Sequence, residues 1–94
     1  MSRSFIQKAN GDIIVFGSNF YGELGLGHNN NVYQPVLLTN DIYIKDIYYG
    51  DFHTLFHRAN GDILTFGLNT NGQLGLGDLQ ERYKPTKCMN LNNI

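Results

Sequence analysis

The chain has 94 residues, room for one small domain, and 41% of them are apolar, with six Phe and six Tyr to fill a core. Seven Lys and Arg stand against eight Asp and Glu, for a net charge of −1 and no basic run, so a cationic surface for nucleic acid is not expected. No apolar run approaches the roughly 18 residues of a membrane span, residues 1–12 lack the apolar stretch of a secretory leader, and a lone Cys88 makes no internal disulfide. An intracellular protein of cytoplasm or nucleus is expected, with neither membrane nor nucleic acid as partner.

In chain order, residues 4–17, "SFIQKANGDIIVFG", read as two strands joined at Asn10-Gly11. Asn-Gly is the strongest short hairpin signal, because both residues of a two-residue turn must accept positive φ. The glycine-rich "GELGLG" follows at 22–27, then a polar loop at 28–34 and "YQPVLLT" at 33–39. Proline has no N–H for a ladder, so this last segment belongs on a sheet edge. "IYIKDIYYG" at 42–50 is a strand with Ile42, Ile44, Asp46 and Tyr48 on one side and Tyr43, Lys45, Ile47 and Tyr49 on the other. A second hairpin, "TLFHRANGDILTFG" at 54–67, leads to "GQLGLG" at 72–77, a polar loop at 78–84 and the proline segment "YKPTKC" at 83–88. No helix is expected.

A two-residue turn pairs Ala59 with Asp62, His57 with Leu64 and Leu55 with Phe66, and on the other face Phe56 with Thr65 and Arg58 with Ile63. In the first hairpin it sets Phe5 opposite Phe16 and Ile6 opposite Val15. Apolar pairs fall on both faces, whereas an antiparallel sheet with one wet face alternates. Sheets stacked face to face, as in a propeller, fit this pattern.

The halves are related by a shift of fifty. "ANGDI" at 9–13 returns at 59–63, "FG" at 16–17 returns at 66–67, and Asn19 returns as Asn69. Gly22, Leu24, Gly25 and Gly27 return as Gly72, Leu74, Gly75 and Gly77, and Tyr33 and Pro35 as Tyr83 and Pro85. Such a period belongs to propeller blades or another repeat array, with residues 1–40 as one repeat and 41–94 as the next.

Glycines this close can wrap a phosphate or make turns. A phosphate loop needs Lys-Ser/Thr after its last glycine, and a dinucleotide site needs a following helix. His28 and Asp78 follow here, each leading into polar loop, so the turn reading is favoured. His53 and His57 share a strand face about 13 Å apart at roughly 3.3 Å per residue, beyond what one metal ion bridges. No Ser, His and acid fall into a catalytic pattern, and Asp12 and Asp62 suit turn hydrogen bonds. No catalytic residue, metal or cofactor is expected.

The elements Gly50-Asp51-Phe52-His53-Thr54, Asn60-Gly61, Phe66-Gly67, Asn69, Gly72-Gln73-Leu74-Gly75-x-Gly77 and Pro85 together resemble the regulator of chromosome condensation repeat family. Departures are Tyr48 and Tyr49 at usually small positions, His57 at an aliphatic one, Phe16 and Phe66 at an often Trp one, and Arg3 at the place of the repeated histidine. The resemblance implies an all-β, incomplete propeller of tandem four-stranded antiparallel blades, about two, the first lacking its innermost strand. It also gives His53 a buried hydrogen bond holding the blade turn, with Thr54 in the same network.

A non-enzymatic protein-interaction module is therefore expected, completed by copies of itself or by a longer partner. Two such blades share one joint and leave an apolar face at each end. If each were ~400 Å², hiding both would return roughly 20 kcal/mol at about 25 cal/mol per Å². The alternatives are guanine-nucleotide exchange on a small GTPase in an assembled form, and a gene fragment without independent function. Tyr43, Tyr48, Tyr49 and Phe52 serve either inter-blade packing or an interaction surface, aromatic residues being enriched at binding hot spots.

Overall fold

The computed structural model describes residues 2–93 as two antiparallel sheets. β1 (Arg3–Gln7), β2 (Asp12–Gly17) and β3 (Val32–Asn40) form the first in that order. β4 (Ile44–Tyr49), β5 (His53–Arg58), β6 (Asp62–Gly67) and β7 (Arg82–Asn90) form the second. Among the described residues the one helical element is a 3-10 turn at Leu91–Asn93, and no helix is long and apolar enough to cross a membrane. Both proline strands sit on edges, where a missing N–H costs no ladder bond.

The hairpin register differs by one residue from a two-residue turn. His57 pairs with Ile63, Phe56 with Leu64, Leu55 with Thr65 and Thr54 with Phe66. In the first hairpin Phe5 pairs with Val15 and Ser4 with Phe16. The loop holds three residues: the Gly61 amide donates to the Arg58 carbonyl at 2.9 Å, and Gly61 alone has positive φ, at 95°. Asn60 stays at negative φ because its carboxamide oxygen accepts the Asp62 amide at 3.0 Å, which fixes a type I turn followed by a left-handed glycine. The one-residue change re-pairs every position, yet both faces still carry apolar side chains.

A bulge corrects the expected sides of β4. Ile44 pairs with Arg58 but Asp46 with His57, so the extra residue at Lys45 reverses the alternation. Ile44 and Ile47 thereby share the face of Phe56, and both pack into the core, while Asp46 and Tyr48 turn to the opposite face.

The core lies between the sheets. Phe5, Ile13 and Val15 on one face of the first sheet meet Ile44, Phe56 and Phe66 on the facing side of the second. Phe56 stands edge-on to Phe66 with centroids 5.0 Å apart and to Phe5 at 6.3 Å. Aromatic pairs of this geometry add about 0.5–1.5 kcal/mol beyond the area they bury. The outer face of the first sheet carries Ser4, Ile6, Ile14 and Phe16, and that of the second carries Leu55, His57, Ile63 and Thr65.

Candidate interaction site at the joint between the sheets

Each glycine loop is organised by one fully buried asparagine. Asn19 donates to the carbonyls of His28 (2.9 Å) and Asn30 (3.0 Å), accepts from the Leu24 amide at 2.8 Å, and its own carbonyl accepts from Gly22 at 3.0 Å. Asn69 repeats the pattern with Asp78, Gln80, Leu74 and Gly72. The Gly25 amide donates to the Gly22 carbonyl at 3.0 Å and the Gly27 amide to the Tyr83 carbonyl at 2.8 Å. In the first loop these amides are committed inside the protein, which leaves it no row of free N–H groups to cradle a phosphate.

The first loop is an inter-sheet contact. Leu24 is fully buried in the core, and the Thr54 hydroxyl of β5 donates to the Glu23 carbonyl at 2.8 Å. Gly25 lies against the Phe66 ring, where an added Cβ would come within 2.8 Å. Gly22 lies against Tyr83 and Gly27 against the Lys84 side chain. In the second loop Leu74 is buried against its own sheet, with its carbonyl accepting the Thr65 hydroxyl at 2.8 Å.

Arg3, at the place of the repeated histidine, reaches across the joint. Its guanidinium donates to the carbonyls of Asp51 (2.7 Å) and Gly50, lies 5.1 Å from the Tyr49 ring centroid, and stands 3.9 Å from the buried Glu23 carboxylate. Glu23 also accepts the Tyr21 amide at 2.8 Å. Sequence reasoning did not single out this pair. The available signal was a double change between repeats, Arg3 against His53 and Glu23 against Gln73.

His53 holds the preceding turn by other means than its ring nitrogens. Its backbone carbonyl accepts the Gly50 amide at 3.0 Å, and its ring lies across Gly50, with no side-chain hydrogen bond among the described residues. The Thr54 hydroxyl serves the neighbouring loop rather than this turn. His57 meets only Asp46, at 3.2 Å, and no group of three or more His, Cys, Asp or Glu able to hold a metal ion occurs among the described residues.

The four aromatic residues separate. Tyr49 packs on Phe5 at 5.5 Å and belongs to the joint. Tyr48 is exposed on the outer face. Tyr43 lies at the hairpin-turn end beside Arg58, 5.6 Å away, and Phe52 lies at the opposite end against Tyr21 at 5.1 Å. Phe20, 4.9 Å from Tyr21 and 66% exposed, extends that second group.

The strand ends are clasped by an Asn–Asp–Asn set in each sheet. Asn40 donates to Asp12 at 2.5 Å and Asn90 to Asp62 at 2.8 Å, while Asn10 and Asn60 accept the Asp12 and Asp62 amides at 3.0 Å. The Asn90 hydrogen bond, opposed by partial desolvation and aided by Lys87 and Asn60, lowers the Asp62 pKa to about 2.

Antiparallel sheets stacked face to face, each sending a glycine loop between its last two strands, define a β-propeller blade repeat. The chain belongs to the regulator of chromosome condensation (RCC1) repeat family, whose model matches residues 10–56 and 60–94, and a second model of the same repeat matches 44–73. Human WBSCR16 is similar in structure at 25% identity over 92% of this chain and 23% of its own, with a TM-score of 0.78. Prp20p from Saccharomyces cerevisiae, described with its binding to Gsp1p and histones, is similar at 23% identity over 96% of this chain and 24% of its own, TM-score 0.80. Yeast RCC1 (Prp20) bound to Kap60 gives 23% identity over 96% and 23%, TM-score 0.79. The chain spans about a quarter of the length of each of these proteins.

Proposed function

We propose that the chain is a non-enzymatic propeller repeat module, with residues 1–40 and 41–94 as its two units, that works by protein–protein contact and is completed by further blades. The observation that carries this is the pair of outer sheet faces. On the first of them Ile6 of β1 is 48% exposed and Tyr33 of β3 is 78% exposed, while of their counterparts Phe56 is fully buried in the joint and Tyr83 lies half-buried against Gly22. The copies or longer propeller that cover them need no catalytic group, and none of the side-chain constellations supports one. A second reading, exchange activity on a small GTPase by an assembled form, draws on Prp20p being described as binding Gsp1p.

Light scattering coupled to size exclusion, with a titration against a longer propeller of the same family, tests the reading. Self-association or capture by the longer protein is expected. A monodisperse monomer that binds neither overturns it.

A further inference from the structure

The joint between the sheets has two sides, and the chain carries a second version of each side facing outward. One side is the loop at 22–27, in which Gly25 lies against Phe66 and Gly27 against Lys84. Among the described residues, the glycines of the equivalent loop at 72–77 meet nothing from the first sheet. A Cβ at Gly77 would have no neighbour within 4 Å, one at Gly75 only its own sheet's Cys88 at 3.9 Å, and one at Gly72 only Leu79 at 4.0 Å. The other side of the joint is built by Thr54, Phe56, Phe66 and Tyr83, and the fifty-residue shift turns these into Ser4, Ile6, Phe16 and Tyr33. Phe56 and Phe66 are fully buried, whereas Ile6 is 48% exposed and Phe16 is half-buried. The glycines of the second loop and Ile6 of the first sheet stand open where their counterparts are covered in the joint, while Ile63, Thr65 and Leu74 are buried under the second sheet's own loop.

We propose that the outer face of the second sheet, with the loop at 72–77, binds the outer face of the first sheet of a second copy, head to tail. This names the partner for the function above and rests on that reading. The internal joint dictates the contacts. Gly75 sits over Phe16 of the second copy, Gly72 against its Tyr33, and the Gly77 amide donates to the Tyr33 carbonyl. The Ser4 hydroxyl of the second copy donates to the Gln73 carbonyl, as Thr54 does to Glu23. The occupant is a copy of this chain because one polypeptide presents both complements, including a hydroxyl and two aromatic rings at the three positions that face the loop.

The outer joint is weaker than the inner one. Thr65, Arg82 and Cys88 stand where the internal joint has Val15, Val32 and Leu38, and Arg82 is already held by Asp78 at 2.7 Å. The Arg3–Glu23 pair has no counterpart there, because His53 and Gln73 stand at those positions on the outward side. Association is therefore concentration-dependent. The contact is heterologous, so it closes into a ring or continues as a filament according to the rotation per copy.

One-sided variants test the arrangement. Ile6→Asp with Tyr33→Asp blocks the first face, and Leu55→Asp with Leu76→Asp blocks the second. Alkylation of Cys88 with a bulky maleimide blocks the second face without mutation, so a misfolded Leu55/Leu76 variant, recognised by circular dichroism, does not end the test. The unmodified chain is expected to gain mass with concentration, each blocked form alone to stay at the monomer mass, and their mixture to stop at a one-to-one dimer. A mixture that stays monomeric, or larger species from either blocked form alone, overturns the head-to-tail joint. An unmodified chain that is monomeric yet binds a longer propeller overturns this joint alone. One that is monomeric and binds neither overturns the proposed function with it.

Discussion

The Thr54 hydroxyl donates to the Glu23 carbonyl across the sheet joint at 2.8 Å, with Thr54 fully buried. Thr54→Val keeps the shape, removes the donor and leaves a buried carbonyl unpaired. It should destabilise by about 1–3 kcal/mol in urea unfolding. Thr54→Ser, the residue found at the equivalent Ser4, should recover most of that loss.

Two glycines of the same sequence motif should respond unequally. Gly25→Ala meets both a φ of +78° and the Phe66 ring at 2.8 Å. The left-handed backbone costs about 1–2 kcal/mol and the overpacked ring about 1–3 more. Gly77→Ala has the backbone cost alone, since nothing lies within 4 Å of its Cβ. Thermal melts of the two variants at a concentration low enough to keep the chain monomeric compare them directly, and equal losses would contradict the close approach.

Arg3 and Glu23 should be coupled. Arg3→Ala strips two carbonyls of a donor and leaves the Glu23 carboxylate buried without a cation, a change worth about 3–5 kcal/mol. Adding Glu23→Gln, the residue at the equivalent Gln73, should return part of it. A double-mutant cycle that is additive would show the pair to be energetically independent.

The fold should lose stability in acid through Asp62. Its folded pKa is lowered to about 2 from an ordinary 3.8. A depressed carboxyl stabilises the fold above the unfolded value and loses that contribution as pH falls from about 4 through about 2. Asp12 and Asp78 are lowered too, by Asn40 and by Arg82 foremost, and add to the same window. Asn90→Ala should raise the Asp62 pKa in an NMR titration and shift the acid unfolding midpoint upward.

The all-β architecture, the edge placement of Pro35 and Pro85 and the two stacked apolar faces were legible, because period and composition report on faces and edges. The register was not. Asn-Gly signals a tight hairpin, but whether Asn60 takes positive φ depends on its bond to the Asp62 amide, which dipeptide statistics do not carry. The bulge at Lys45 was equally hidden, since the strand's own alternation is self-consistent and only pairing with β5 reveals the extra residue. Asn19 and Asn69 were visible as repeated residues, yet nothing in a polar side chain's identity says that it is the buried hub of a loop. Arg3 is visible as a departure from the repeat, but its contacts lie 47 and 48 residues away.

The three-residue turn also sets how the protein ages. In an unfolded chain the Gly61 amide nitrogen attacks the Asn60 carboxamide carbon, expels ammonia and forms a succinimide that opens to aspartate or isoaspartate. Folded, that nitrogen donates to the Arg58 carbonyl at 2.9 Å, and the carboxamide is held between the amide and the carboxylate of Asp62. Asn10 and Gly11 are held the same way beside Lys8 and Asp12. Deamidation of Asn10 and Asn60 therefore proceeds through opening of their hairpins, and each lesion sets a new negative charge beside Asp12 or Asp62, so the damage accumulates irreversibly in molecules that have already opened.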